Sequence, residues 1–409
     1  MPAHTPTDHL VPHVSTIPAN AGAAVKLFVR EYDGTKPSHT PQPVLMLHGR
    51  SVPVVAGFDL VLPAGAGGPG TRYSWAQDLA DDGYDVFLMD LQGNGRSPRP
   101  QMDAPCNANP AQQEDVLTPN PLAATCAPPY PHQLGNAESE WAELETVVRF
   151  IRALPGRDHA INFIGWSAAA FVMGPYTLQH PADVRSLLLL APIFPPQGRW
   201  STNPADPFGR PAEASTLPMS LPAVTFGFPM NVGSKTGFKA GWDKEQASPL
   251  QREPGIEDKV WAAFMQNDAV GSKWGPVLSP GVFEGVARSR NSYWWGWNDR
   301  TVPHKDPGGA YVLGDRVPVL ILYGEQDTQA NTSATLPPVL HFSVPDLYAA
   351  IKGPDKLMFK LALAGHSVVW ERNAKVVQRF TKHWLDKGKI EGLTSGSYYR
   401  DEDGALYPV

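Results

Sequence analysis

A serine, a histidine and a carboxylate, far apart along the chain, are the side chains of this sequence best suited to chemistry. Gly165-Trp166-Ser167-Ala168-Ala169 follows a short apolar run at 160–165 and opens a segment of helical composition, 167–180. A strand that turns sharply into a helix lifts the apical hydroxyl above a sheet. The turn is crowded, so the residues two before and two after the serine must be small. Gly165 and Ala169 meet that demand. A serine hydroxyl is a poor nucleophile near neutral pH and needs an adjacent base. Gly365-His366, after the apolar run 356–363, supplies an imidazole. Gly324-Glu325-Gln326-Asp327, after the run 317–323, supplies two carboxylates, one of which would fix the imidazole tautomer and stabilise the imidazolium. His48-Gly49-Arg50 ends a further run, and the backbone N–H of Arg50, with that of Ala168, would cradle a developing oxyanion.

Each piece alone has a plain structural reading: Ser167 as a helix cap, Asp327 as a turn former, His366 as a loop residue, Arg50 as a solvent-facing cation. Their joint placement decides otherwise. PVLMLHG (43–49), YDVFLMD (84–90), AINFIG (160–165), VRSLLLLAP (184–192), VPVLILYGE (317–325) and KLMFKLALAG (356–365) are short continuous apolar runs. Such runs suit strands buried on both faces. Helical segments are predicted at 73–83, 136–156 and 370–388, and a hairpin turning at Ala19–Gly22 near the start. Strands alternating with helices predict an α/β fold with a mostly parallel central sheet and helices on both faces. Ligands of such sheets sit beyond the C-terminal strand ends, where all these residues fall.

The segments LMLHG, MDLQGNGRS, FIGWSAAA, LYGEQD and AGHSVVWE resemble the α/β-hydrolase superfamily. The resemblance implies a core at 1–195 and 310–409 with a cap inserted at 196–309. It implies Ser167 as nucleophile, His366 as base and Asp327, in preference to Glu325, as the acid. MDLQGNGRS is expected to be a structural turn. A serine at 167 argues against the epoxide hydrolases and haloalkane dehalogenases of this fold, which carry Asp there. Two departures stand out: Ala169 replaces a common Gly, and Arg50 occupies a turn position where a small or aromatic residue is usual. The expected reaction is cleavage of a carboxylic ester, or a lactone or amide, through an acyl-enzyme, with no metal or organic cofactor. Acyl transfer, a cofactor-free lyase step and a non-catalytic binding role remain open alternatives.

The expected cap is rich in aromatic residues: Trp200, Trp242, Trp261, Trp274, Trp294, Trp295, Trp297, Phe226, Phe228, Phe264 and Phe283. Most are expected to form its own core and a minority to touch ligand. Trp294, Trp295 and Trp297, with Trp166, are the candidate pocket wall for a bulky apolar or aromatic substrate. WAAFM (261–265) and VFEGVARS (282–289) read as helical. The Pro-rich stretch 98–131 reads as a second rim of the entrance. It holds the chain's 2 cysteines, Cys106 and Cys126, whose pairing stays open.

The 409 residues are 42% hydrophobic and 18% charged, with a formal net charge of -6. That balance excludes a disordered chain and gives no reason to expect nucleic acid as a partner. A small ester-like molecule is the expected partner, and monomer or homodimer stays open. The sequence shows no transmembrane run and no leader pattern, so a cytoplasmic location is expected, with a secreted or periplasmic mature form left open.

Overall fold

The computed structural model describes residues 4–62, 73–212 and 228–409; Phe226 lies outside them. Ten strands form one sheet. They are β1 (Thr7–Val14), β2 (Ala24–Asp33), β3 (Pro43–Leu47), β4 (Asp85–Met89) and β5 (Ile161–Trp166), then β6 (Val184–Leu190), β7 (Val319–Gly324), β8 (Lys356–Leu361), β9 (Gly396–Arg400) and β10 (Leu406–Pro408). Their spatial order is β1-β2-β4-β3-β5-β6-β7-β8-β9-β10. β3 through β9 pair in parallel, while β1, β2 and β10 run antiparallel to their neighbours.

The apolar runs are continuous because successive side chains enter two different cores. Leu45, Leu47, Phe163, Leu187, Leu189 and Ile321 face one side. Val44, Met46, Ile164, Leu188, Leu190 and Leu320 face the other. On the first side lie α2 (Ala137–Arg152) and α3 (Ala170–Gln179). On the second lie α1 (Trp75–Asp82) and the C-terminal helix Ala374–Lys387. α2 begins with a capping box between Asn136 and Ser139 and carries Glu138 and Glu140 in its first turn, where the helix dipole favours negative charge. α1 stops at Gly83, whose φ of 107° is the left-handed conformation that glycine adopts freely.

Two sequence expectations change. Residues 282–289 are not helical: Val282–Phe283 pairs with Val277–Ser279, and Ala287–Arg290 pairs with Met230–Gly233. Gly285, at φ 86°, breaks the run between the two strands. The N-terminal hairpin begins earlier than its turn residues indicate, because the alternation of His9, Val11 and His13 in β1 is masked by Pro12 on an edge strand. WAAFM lies in the helix Ile256–Gln266. β9 and β10, which extend the sheet at the chain's end, were not anticipated. Among the described residues no helix is long and apolar enough to cross a membrane.

The long connection from β6 to β7 docks on the core through tight contacts. A Cβ on Gly174 of α3 would stand 2.4 Å from the Trp297 ring. That indole is 1% exposed and donates from Nε1 to Ile193 O at 3.2 Å, so it has little room to yield. Gly174→Ala is therefore expected to cost about 1–3 kcal/mol through overpacking, measured by urea denaturation. An unchanged midpoint would mean the Trp297 ring is not fixed.

Candidate functional site

Because β3, β5, β7 and β8 run in the same direction, their C-terminal ends share one edge of the sheet. Ser167 sits at the turn from β5 into a 3-10 turn and α3, with φ 59°. A non-glycine residue held there stores strain of about 1–3 kcal/mol. A Cβ on Gly165 would come within 3.1 Å of both the Ala169 Cβ and the Met173 sulfur, so the turn is tight around this glycine.

The Ser167 Oγ lies 2.9 Å from His366 Nε2. His366 Nδ1 lies 3.0 Å from each Asp327 oxygen. Asp327 is 3% exposed, and its Oδ1 also accepts from Gln329 N and Ala330 N. Glu325 turns outward and is exposed, with Tyr399 Oη 3.5 Å away. The loops that carry Asp327 and His366 are stitched together by Gln326 N donating to Ala364 O at 2.8 Å. A Cβ on Gly324 would meet Ala364 O at 2.2 Å, so their close approach requires glycine.

The backbone of His366 is gripped from two sides. Trp166 Nε1 donates to its carbonyl at 3.1 Å, and its N–H donates to Glu245 Oε2 at 2.8 Å. Glu245 comes from the β6–β7 connection, and its Oε1 accepts from Thr328 N and Oγ1 beside Asp327. Glu371, beneath the same loop, accepts from Gly365 N, Trp242 Nε1 and Gln251 Nε2. Burial pushes its carboxyl up to about 7 despite these bonds. Glu245 and Glu371 were not singled out in the sequence; no local motif marks them.

His48 was read only as part of a turn, yet it is 3% exposed and doubly bonded. Its Nε2 accepts from Leu91 N at 3.2 Å, so Nδ1 carries the hydrogen and donates to Gly49 O at 2.6 Å. Burial pushes this imidazole down to about 3, which keeps it neutral. In a trans peptide the carbonyl and the following N–H point in opposite directions. Holding the Gly49 carbonyl therefore aims the Arg50 N–H. Neither that N–H nor the Ala168 N–H is taken up by another group among the described residues. A Cβ on Gly49 would lie 3.7 Å from Ser167 Oγ, so this turn borders the hydroxyl. Asp90 in MDLQGNGRS accepts from Val54 N and Arg96 N and acts as a brace for the turn.

Above Ser167 and His366 opens a cavity of about 630 Å³. Trp166, Trp294, Trp295 and Trp297 all border it, as do Trp242 and Phe264. Trp294 stacks on Phe171 with centroids 4.6 Å apart and donates to Glu140 at 2.8 Å. Trp295 and Trp297 are almost wholly buried at the cavity's edge, Trp261 and Trp274 pack inside the connection, and Phe228 is buried. Segment 98–131 contributes none of the described lining residues. Its Met102, Ala108 and Leu117 instead bury against Met230, Val232 and Trp274, giving it a small core of its own away from the entrance. There Cys106 and Cys126 are disulfide-bonded, and the Gln113 side chain ties both cysteine backbones. Among the described residues no group of three His, Cys, Asp or Glu side chains is placed to hold a metal ion.

The model of the alpha/beta hydrolase fold matches residues 60–372 of the chain. The chain belongs to this family. Among solved structures, this α/β-hydrolase is similar to a serine hydrolase from the polyaromatic-hydrocarbon-degrading bacterium Cycloclasticus zankles. The two share 14% identity with a TM-score of 0.46, covering 94% of this chain and 100% of that one. It is also similar to a thermophilic esterase from Thermogutta terrifontis, at 15% identity and TM-score 0.45, covering 92% and 98%. A thioesterase domain from the curacin biosynthetic pathway matches at 17% identity and TM-score 0.43, covering 87% and 94%. Likenesses this distant say nothing of substrate. No curated protein matches the chain.

Burial alone would push the His366 imidazole down. The charge and hydrogen bond of Asp327, with the charges of Glu245 and Glu371, outweigh it, and the net direction is up. A base works only when neutral. Activity is therefore expected to fall as pH drops through a midpoint above the ordinary imidazole value of about 6.5. Glu245→Gln removes one of the charges that raise His366, so the acid limb of kcat/KM should move to lower pH. A limb below about pH 6 in the unaltered enzyme, or one that moves up in the variant, would contradict this electrostatic account.

Proposed function

We propose that this α/β-hydrolase is a serine hydrolase that cleaves a carboxylic ester of a bulky, apolar or aromatic substrate through an acyl-enzyme. The observation that carries the reading is the continuous contact from Ser167 Oγ through His366 to Asp327. Ser167 Oγ attacks the ester carbonyl as its proton passes to His366 Nε2. Asp327 holds the tautomer and stabilises the resulting imidazolium. The carbonyl oxygen, now negative, is received by the N–H groups of Arg50 and Ala168. Collapse of the tetrahedral species breaks the bond to the leaving alcohol, which takes the proton from His366. Water, deprotonated by His366, then attacks the acyl carbon and frees the acid and Ser167.

The reading of substrate size rests on the aromatic walls. In this account the β6–β7 connection acts as a cap whose Trp294, Trp295 and Trp297, with Trp166 below, make the wall that meets a large acyl or alcohol group rigid and apolar.

A fluorophosphonate probe is expected to label the unaltered protein, to leave Ser167→Ala unlabelled and to react far more slowly with His366→Ala. Against 4-nitrophenyl esters, Ser167→Ala should lose a factor on the order of 10⁴–10⁶ in kcat, and Asp327→Asn on the order of 10³–10⁴. Aryl and long-chain acyl esters should exceed the acetate in kcat/KM. Labelling that survives Ser167→Ala would sink the assignment of the nucleophile, and faster turnover of acetate would sink the assignment of substrate size.

A further inference from the structure

Among the described residues, few charged side chains line the cavity: Arg50, Arg199, Lys244 and Glu245. Glu245 is already committed, since both its oxygens accept hydrogen bonds from the acid and base loops. Arg199 is stacked on Tyr293, with its guanidinium carbon 4.2 Å from the ring centroid. Lys244 is exposed at the cavity and makes no ion pair among the described residues. The described lining thus holds three cations and one carboxylate, in a protein whose net charge is -6.

Among the described residues, Arg50 differs from the buried arginines. Arg288 holds Asp268 and Asp103, Arg290 holds Glu140, and Arg252 holds Asp243. The Arg50 guanidinium has no hydrogen bond, ion pair or ring contact with any described residue. The residue is half-buried and belongs to the lining of the cavity. Desolvation pulls its pKa below the ordinary arginine value, without removing a charge that arginine keeps at any working pH. Desolvating a cation with no partner is costly, and buried charges are ordinarily paired. Among the described residues Arg50 has no such partner, and it stands in the cavity lining.

We propose that Arg50 is a specificity-determining residue whose guanidinium binds a carboxylate carried by the substrate. The planar fork of arginine fits a carboxylate with two parallel hydrogen bonds. The position also fixes where that carboxylate belongs. The Arg50 N–H faces the scissile carbonyl in the mechanism above, and the Gly49 turn borders Ser167 Oγ. The anionic group therefore sits about one arginine side chain from the carbonyl under attack, with the aromatic walls taking the rest of the molecule. The substrate class becomes a half-ester of a dicarboxylic acid, or an ester with an acidic substituent close to the ester bond. This deepens the proposed ester hydrolysis and rests on it for its kinetic arm.

The test compares pairs of esters matched in length. The 4-nitrophenyl half-ester of glutaric acid is set against 4-nitrophenyl hexanoate, and 4-acetoxybenzoate against its neutral carboxamide. The readout is the ratio of kcat/KM within each pair, in which any change to shared chemistry cancels. One of the two anionic esters is expected to exceed its neutral partner by about tenfold or more in the unaltered enzyme. Arg50→Gln should bring that ratio to about one, and Arg50→Lys should retain part of it. Without any substitution, the KM of the favoured anionic ester should rise several-fold between about 20 and 500 mM salt while that of its neutral partner holds.

A binding arm, independent of turnover, uses Ser167→Ala and calorimetry with 4-phenylbutyrate against 4-phenylbutyramide. The acid is expected to bind more tightly, and the preference should vanish in the Ser167→Ala/Arg50→Gln double variant. If none of the esters is hydrolysed, the ester-hydrolase reading fails while calorimetry still decides the role of Arg50. If the esters are hydrolysed with neutral members preferred, or with a ratio that Arg50→Gln leaves unmoved, the carboxylate site is overturned and the hydrolase reading stands.

Discussion

His366 is held in place through its backbone as much as through its ring. Its N–H is bound by Glu245, its carbonyl by Trp166, and its Nδ1 by Asp327, so that Nε2 is left directed at Ser167. A loop beyond a strand end would ordinarily be among the more mobile parts of a fold. Here three anchors from three separate parts of the chain fix the imidazole before any substrate arrives. Geometry set in advance is what lets a proton move without reorganisation. The strain at Ser167 is tolerated because β5 and α3 are buried on all sides and leave the backbone no alternative.

The opposite side of the site is set by a neutral imidazole and a charged guanidinium, one residue apart from each other across Gly49. His48 turns the peptide that carries the Arg50 N–H, and it does so as a rigid, uncharged hydrogen-bonding spacer between Gly49 O and Leu91 N. Since burial keeps it neutral, this half of the site holds its shape at pH values where His366 changes charge. The two histidines thus have opposite environments: one feels the charges of Arg290 and Arg99, the other those of Asp327, Glu245 and Glu371.

The order of elements was legible because buried parallel strands leave a strong mark. Leu45 and Leu47 enter one core and Val44 and Met46 the other, so the run is apolar throughout. The candidate Ser167, His366 and Asp327 were legible for the same reason, since each follows such a run. What stayed hidden was everything fixed by contact between distant segments. Glu245 and Glu371 look like ordinary surface carboxylates in sequence, and only the folded chain brings them under His366. The stretch 282–289 read as helical because Val282, Phe283 and Val286 have helical spacing, yet pairing with Met230–Gly233 and Val277–Ser279 prevails. The stretch 98–131 read as a rim because it follows a strand, while its apolar residues bury against the connection instead.

The bond from Glu245 to the backbone of His366 changes what kind of object the β6–β7 connection is. In a modular enzyme such a segment can be exchanged between relatives to alter selectivity while the chemistry below stays intact. This one cannot be treated as a detachable accessory, because it carries part of the scaffold that holds His366. Recombination or engineering that replaces it must bring a matching acceptor for the His366 N–H. Otherwise the variant gains a new pocket and loses the alignment that made the pocket useful.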